Sequence, residues 1–157
     1  MTPSSIDPER KPCVLVVDDH ERIIRAIQIV LERRGYRVVG AKDGVEGLDK
    51  AFEEKPDVII LDIIMPLLDG YEVAKRLKRH RVTRRIPIIM LTATGRLDDV
   101  PPEEKRILHR RVEEQLKGFD AGAVEFLTKP IEAGKLVKVV EAVLKRYAAP
   151  IEEEETT

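Results

Sequence analysis

At 157 residues, with 28 basic and 29 acidic side chains, the chain is long enough for one domain with a buried core, and it has no net charge that would draw it to nucleic acid or a membrane surface. A single cysteine, Cys13, excludes an internal disulfide. No apolar stretch reaches the ~20 residues of a membrane span, and the start lacks the basic-then-apolar pattern of a secretory signal, so a soluble, cytoplasmic protein is expected.

Residues 1–11 are polar and contain proline, which predicts a flexible tail. Cys13-Val14-Leu15-Val16-Val17-Asp18 reads as a buried strand ending on the acid pair Asp18-Asp19. A helical face at residues 23, 24, 27, 30 and 31 follows, and Gly35 stands where a helix-terminating glycine belongs. Tyr36 to Val39 is a short second strand, and Asp43-Gly44 opens a helix to about Glu54. Val58-Ile59-Ile60-Leu61-Asp62 is a third strand with an acid at its end, followed from Gly70 by a helix to about Arg79. Ile88-Ile89-Met90-Leu91 ends on Thr92. Pro101-Pro102-Glu103-Glu104 reads as a helix start, continued by Leu108, Val112, Leu116 and Phe119. Val124 to Thr128 leads into Lys129-Pro130, and Leu136 to Tyr147 marks a last helix before an acidic, disordered tail over 148–157. Five strands alternating with five helices predict an α/β fold, a doubly wound parallel sheet with both faces covered.

In such sheets ligands bind at the carboxyl ends of the strands. Asp18, Asp19, Asp62, Thr92 and Lys129 should therefore meet at one edge. Three close carboxylates repel one another, and a divalent cation relieves that cost. Oxygen ligands at a partly open site suit Mg²⁺ (or Mn²⁺), with one acid of the pair binding directly and its neighbour through water. A carboxylate fixed beside a cation can attack phosphorus and form an aspartyl phosphate. The Lys129 ammonium and Thr92 hydroxyl could then each take one phosphoryl oxygen. The plainer reading of Asp18 or Asp19 is a helix cap.

Asp18-Asp19, Leu61-Asp62 with Met65-Pro66 and Asp69-Gly70, Leu91-Thr92-Ala93, and Phe126-Leu127-Thr128-Lys129-Pro130 together resemble the receiver domain of two-component response regulators, the single-domain chemotaxis regulators among them. The resemblance runs from about Pro12 to Tyr147, which sets the receiver domain at 12–147. It implies a flavodoxin-like (βα)5 sheet of strand order 2-1-3-4-5. Asp62 is then the phosphoacceptor and a metal ligand, Asp19 binds the metal directly, Asp18 acts on it through water, and the Ile64 backbone carbonyl is a further ligand. Thr92 and Phe126 become a switch pair, Lys129 contacts the phosphoryl group, and Lys129-Pro130 is a cis bond. A histidine kinase or phosphotransfer protein would supply phosphate, and the face of the fourth helix, fifth strand and last helix would change in response. Phe126 replaces the commoner tyrosine, and a phenyl ring can turn inward without needing a hydrogen-bond partner. No enzymatic activity beyond the gain and loss of its own phosphoryl group is implied.

Three departures stand out. Leu67 occupies a loop place where the family often has glycine, so the turn after Pro66 is expected to differ in shape. Thr92 and Lys129 are 37 positions apart, longer than the family's spacing, so the region before or within the fourth helix, residues 95–116, is extended. That predicts a partner-specific surface, including a homodimer contact. Ile64 and Thr94 flank the path of an attacking water, so bulky Ile64 predicts slow hydrolysis. With no recognisable output domain after Tyr147, an output protein acting in trans is expected. The alternatives are a constitutive adaptor with a receiver fold and an aspartate-nucleophile phosphatase, the latter disfavoured by Ile64 where such enzymes place a second acid. His20 is expected to be solvated at the rim. The basic run Lys75 to Arg85 reads as a solvated helix end rather than a nucleic-acid or acidic-partner site. Abundant Glu, Lys and Arg with no Asn and two Gln predict a thermophilic source.

Overall fold

The computed structural model describes residues 10–92 and 123–148. Strands β1 (Cys13–Val17) and β3 (Val58–Asp62) are buried along their whole length. That is why both are continuous apolar runs rather than alternating ones. The sheet is completed by β2 (Arg37–Ala41), β4 (Ile88–Thr92) and β5 (Ala123–Thr128). All pairings are parallel, and the strand order is β2-β1-β3-β4-β5, as expected. β2 extends two residues beyond the predicted Val39, because Gly40 and Ala41 stay in register with Val16 and Val17.

The helices are α1 (Glu21–Glu32), α2 (Gly44–Glu54), α3 (Gly70–Arg79) and, numbered within the described residues, α4 (Ala133–Ala148). One core lies between the sheet and α2 and α3, where Leu15, Val17, Ile59, Leu61 and Met90 meet Ala51, Val73 and Leu77. The other lies beneath α1 and α4, where Val14, Val16, Ile60 and Leu91 meet Ile27, Leu31, Leu136 and Val140. Short polar residues start the helices: Asp43 accepts from the Glu46 amide at 2.8 Å, and Asp69 from the Glu72 amide at 2.9 Å. α1 ends at the predicted glycine, with Gly35 at φ +92° and the Tyr36 amide returning to the Leu31 carbonyl. Among the described residues no helix is long and apolar enough to cross a membrane. The predicted fourth helix, the long segment 95–116, Thr94 and the outer residues of both tails lie outside the described residues.

Candidate functional site

The chain order reverses direction across the sheet between β1 and β3, since β2 lies on one side of β1 and β3 on the other. Crevices form at such switch points, outside the carboxyl ends of the strands. β1 delivers Asp18 and Asp19 there, β3 delivers Asp62, β4 delivers Thr92, and the turn after β5 delivers Lys129. Asp18 and Asp62 are almost wholly buried, at 0% and 2% exposure. Lys129 Nζ lies 2.8 Å from Asp18 Oδ2 and 3.5 Å from Asp62 Oδ1, bridging the two strand ends. The Lys129-Pro130 bond is cis, and the Lys129 amide donates to the Thr92 carbonyl at 2.8 Å, tying the turn to β4.

Thr92 is half-buried, opposite Thr128 in the β4–β5 ladder, and its hydroxyl lies 3.5 Å from the Leu127 carbonyl. Phe126 pairs with Met90 and packs, half-buried, against the α2–α3 core. Ile64 is 38% exposed in the loop leaving β3.

Electrostatics set the character of the pocket. Burial, and then the negative charge of Asp18, push the Asp62 carboxyl from 3.8 up to about 6, against the opposing pull of Lys129. Asp18 Oδ2 and Asp19 Oδ1 are buried without a hydrogen bond; the Lys129 ammonium is at ion-pair distance from the former but is not aligned as a donor. Asp18, Asp19, His20 and Asp62 each bring a ligand atom within 4.8 Å of the others. A buried anionic oxygen without a hydrogen bond, Asp19 Oδ1, in an oxygen-rich group of that size fits a divalent cation. The prediction from sequence did not include His20 in this group. Its Nδ1 lies 3.2 Å from Asp18 Oδ1 and 3.3 Å from Asp19 Oδ1. The available signal was its position directly after the acid pair.

The loop from β3 to α3 holds a second feature, at the leucine that stands where the family often has glycine. The Leu68 amide donates to the Pro66 carbonyl at 2.8 Å around Leu67, whose φ is +70°: a γ-turn in the strained, positive-φ form. The Leu67 side chain is fully exposed, so no packing offsets the strain. Leu67→Gly is expected to stabilise the protein by roughly 0.5–1 kcal/mol in urea unfolding, as relief of strain outweighs glycine's greater freedom when unfolded. A loss of stability would show that the turn needs the leucine side chain.

The model of the response regulator receiver domain family matches residues 14–102. The alkaline phosphatase synthesis transcriptional regulatory protein PhoP of Bacillus subtilis is 40% identical over 142 residues, 89% of this chain and 52% of the relative. The DNA-binding dual master transcriptional regulator RpaA of Synechocystis is 37% identical over 135 residues, 86% of this chain and 50% of the relative. The chain thus spans about half the length of these curated relatives. Among solved structures, a putative response regulator of Chloroflexus aurantiacus superposes with a TM-score of 0.71 at 33% identity, covering 87% of this chain and 99% of that one. The chemotaxis protein CheY4 of Vibrio cholerae superposes with a TM-score of 0.68 at 33% identity, covering 85% and 99%.

Proposed function

We propose, from the premise that this chain belongs to the response regulator receiver domain family, that it is a signalling switch set by a phosphoryl group on Asp62. The observation that carries this reading is the buried Asp62 carboxylate within 3.5 Å of Lys129, in a pocket with unbonded acid oxygens. The donor is the phosphohistidine of a histidine kinase or phosphotransfer protein. An Asp62 oxygen attacks phosphorus, the N–P bond breaks, and its electron pair stays on the imidazole nitrogen, which is reprotonated by solvent. Asp18, Asp19, Asp62 and the Ile64 carbonyl would hold Mg²⁺, which when bound neutralises charge on the phosphoryl oxygens. Lys129 offsets the remaining charge from the other side, and the Thr92 hydroxyl donates to a phosphoryl oxygen. As Thr92 moves toward the phosphate, Phe126 follows into the space behind it, since packed interiors close voids. Residues 12–147 act as the switching unit, and a partner or output module reads the β5–α4 side of it.

Incubation of the full chain with acetyl phosphate and Mg²⁺, followed by phosphate-affinity electrophoresis, tests this. A retarded band is expected, absent with a chelator. An unretarded band under all conditions leaves the constitutive adaptor as the better account. Ile64, partly exposed beside the acceptor, offers no hydrogen bond to an attacking water. Ile64→Asn is therefore expected to shorten the lifetime of the phosphorylated form, read as the decay of that band after donor removal. An unchanged lifetime would remove Ile64 from the control of hydrolysis.

A further inference from the structure

His20 occupies the N-cap position of α1, but its side chain makes no capping bond. Its ring is turned instead to the acid pair, with Nδ1 at 3.2 Å from Asp18 Oδ1 and 3.3 Å from Asp19 Oδ1. Its own amide donates to Asp18 Oδ1 at 2.8 Å, which fixes the backbone of the turn. The three consecutive residues Asp18-Asp19-His20 thus present two carboxylates and an imidazole to one point, with Asp62 completing a four-donor group within 4.8 Å. Asp19 Oδ1, the oxygen that Nδ1 faces at 3.3 Å, is buried without a hydrogen bond, while the second oxygen of the fully buried Asp18 is paired with the Lys129 ammonium at 2.8 Å.

This is a mixed nitrogen and oxygen donor set, not the all-oxygen set that Mg²⁺ prefers. Imidazole suits nickel, zinc, copper and iron, and affinity for such ions rises along the first transition row. We propose that His20 is a direct ligand for a late first-row divalent cation at the Asp18-Asp19-Asp62 pocket, giving this receiver a transition-metal mode alongside its Mg²⁺ mode. With Mg²⁺ bound, the ring remains a neighbour of the two carboxylates. With Ni²⁺, an imidazole nitrogen takes a coordination position that water otherwise fills. The ring is two-thirds exposed, so it can make that adjustment without disturbing the core. The inference rests on the metal-holding pocket of the proposed function.

Calorimetric titration of the full chain with NiCl2 and with MgCl2 tests it, using the wild type, His20→Gln and Asp19→Asn. His20→Gln is expected to weaken Ni²⁺ binding about tenfold or more while leaving Mg²⁺ binding within about twofold. Asp19→Asn is expected to weaken both. A loss of Ni²⁺ affinity below about threefold in His20→Gln, or an equal loss for both ions, overturns the role of His20. Mg²⁺ binding untouched by Asp19→Asn overturns the pocket as the metal site, and the inference with it. The spin echo of bound Cu²⁺, a late first-row ion, supplies a direct signature: coupling to the nitrogens of a coordinated imidazole in the wild type and none in His20→Gln. Its absence in the wild type also overturns the assignment.

Discussion

Asp62→Asn is expected to abolish phosphorylation and, at the same time, to make the metal-free protein more stable at neutral pH. The two effects have one cause: the carboxylate that the proposed function requires is buried at a cost to the fold. Its carboxyl titrates at about 6 in the folded chain against 3.8 as the ordinary value. Between those values the folded state holds the proton more tightly than the unfolded state, so stability falls as pH rises through that window and stays low above it. The shift corresponds to about 3 kcal/mol. Asparagine has no charge to bury, so the variant should gain up to that amount at pH 7.5, shrinking toward nothing by about pH 4. Added Mg²⁺ should raise the unfolding midpoint of the wild type more than that of the variant, because binding to the folded form alone stabilises it. Urea unfolding at the two pH values, with and without metal, reads all three. A variant less stable than the wild type at pH 7.5 would mean that ion pairing with Lys129 outweighs the cost of burial.

Gly70→Ala is the second large effect. A Cβ at Gly70 would collide with the Asp62 carbonyl oxygen, with the Ile63 backbone just behind it. These are backbone atoms of the strand end that carries Asp62, and no side chain can turn aside to relieve the contact. The Gly70 amide also donates to the Ile63 carbonyl at 2.8 Å, so α3 begins pressed against the end of β3. Alanine should cost about 3 kcal/mol, at the upper end for overpacking, and should slow phosphorylation by displacing Asp62. Thermal unfolding and the rate of labelling by acetyl phosphate check the two parts. A variant of wild-type stability would show that the loop can retreat from the helix start.

The strands were legible because β1 and β3 are buried on both faces and therefore written as unbroken apolar runs. The helix starts at Asp43 and Asp69 were legible because a capping side chain is a local signal. The end of β2 was not, since Gly40 and Ala41 are strand only through pairing with β1. Asp18, Asp62 and Lys129 could be placed together because each stands at the end of a strand in a sheet of known direction. His20 could not, because the turn of its ring toward Asp18 and Asp19 depends on the backbone between β1 and α1. The turn at Leu67 was legible only as a departure from the family's common glycine; the positive φ itself falls on a leucine, which bears no mark of that conformation.

The most direct measurement is to find where the phosphoryl group sits. The chain would be labelled by acetyl phosphate with Mg²⁺, reduced with borohydride to convert the acyl phosphate to homoserine, and digested for mass spectrometry. One modified residue is predicted, Asp62, in proportion to the retarded band. Modification at another residue, or a retarded band persisting in Asp62→Asn, would contradict the account.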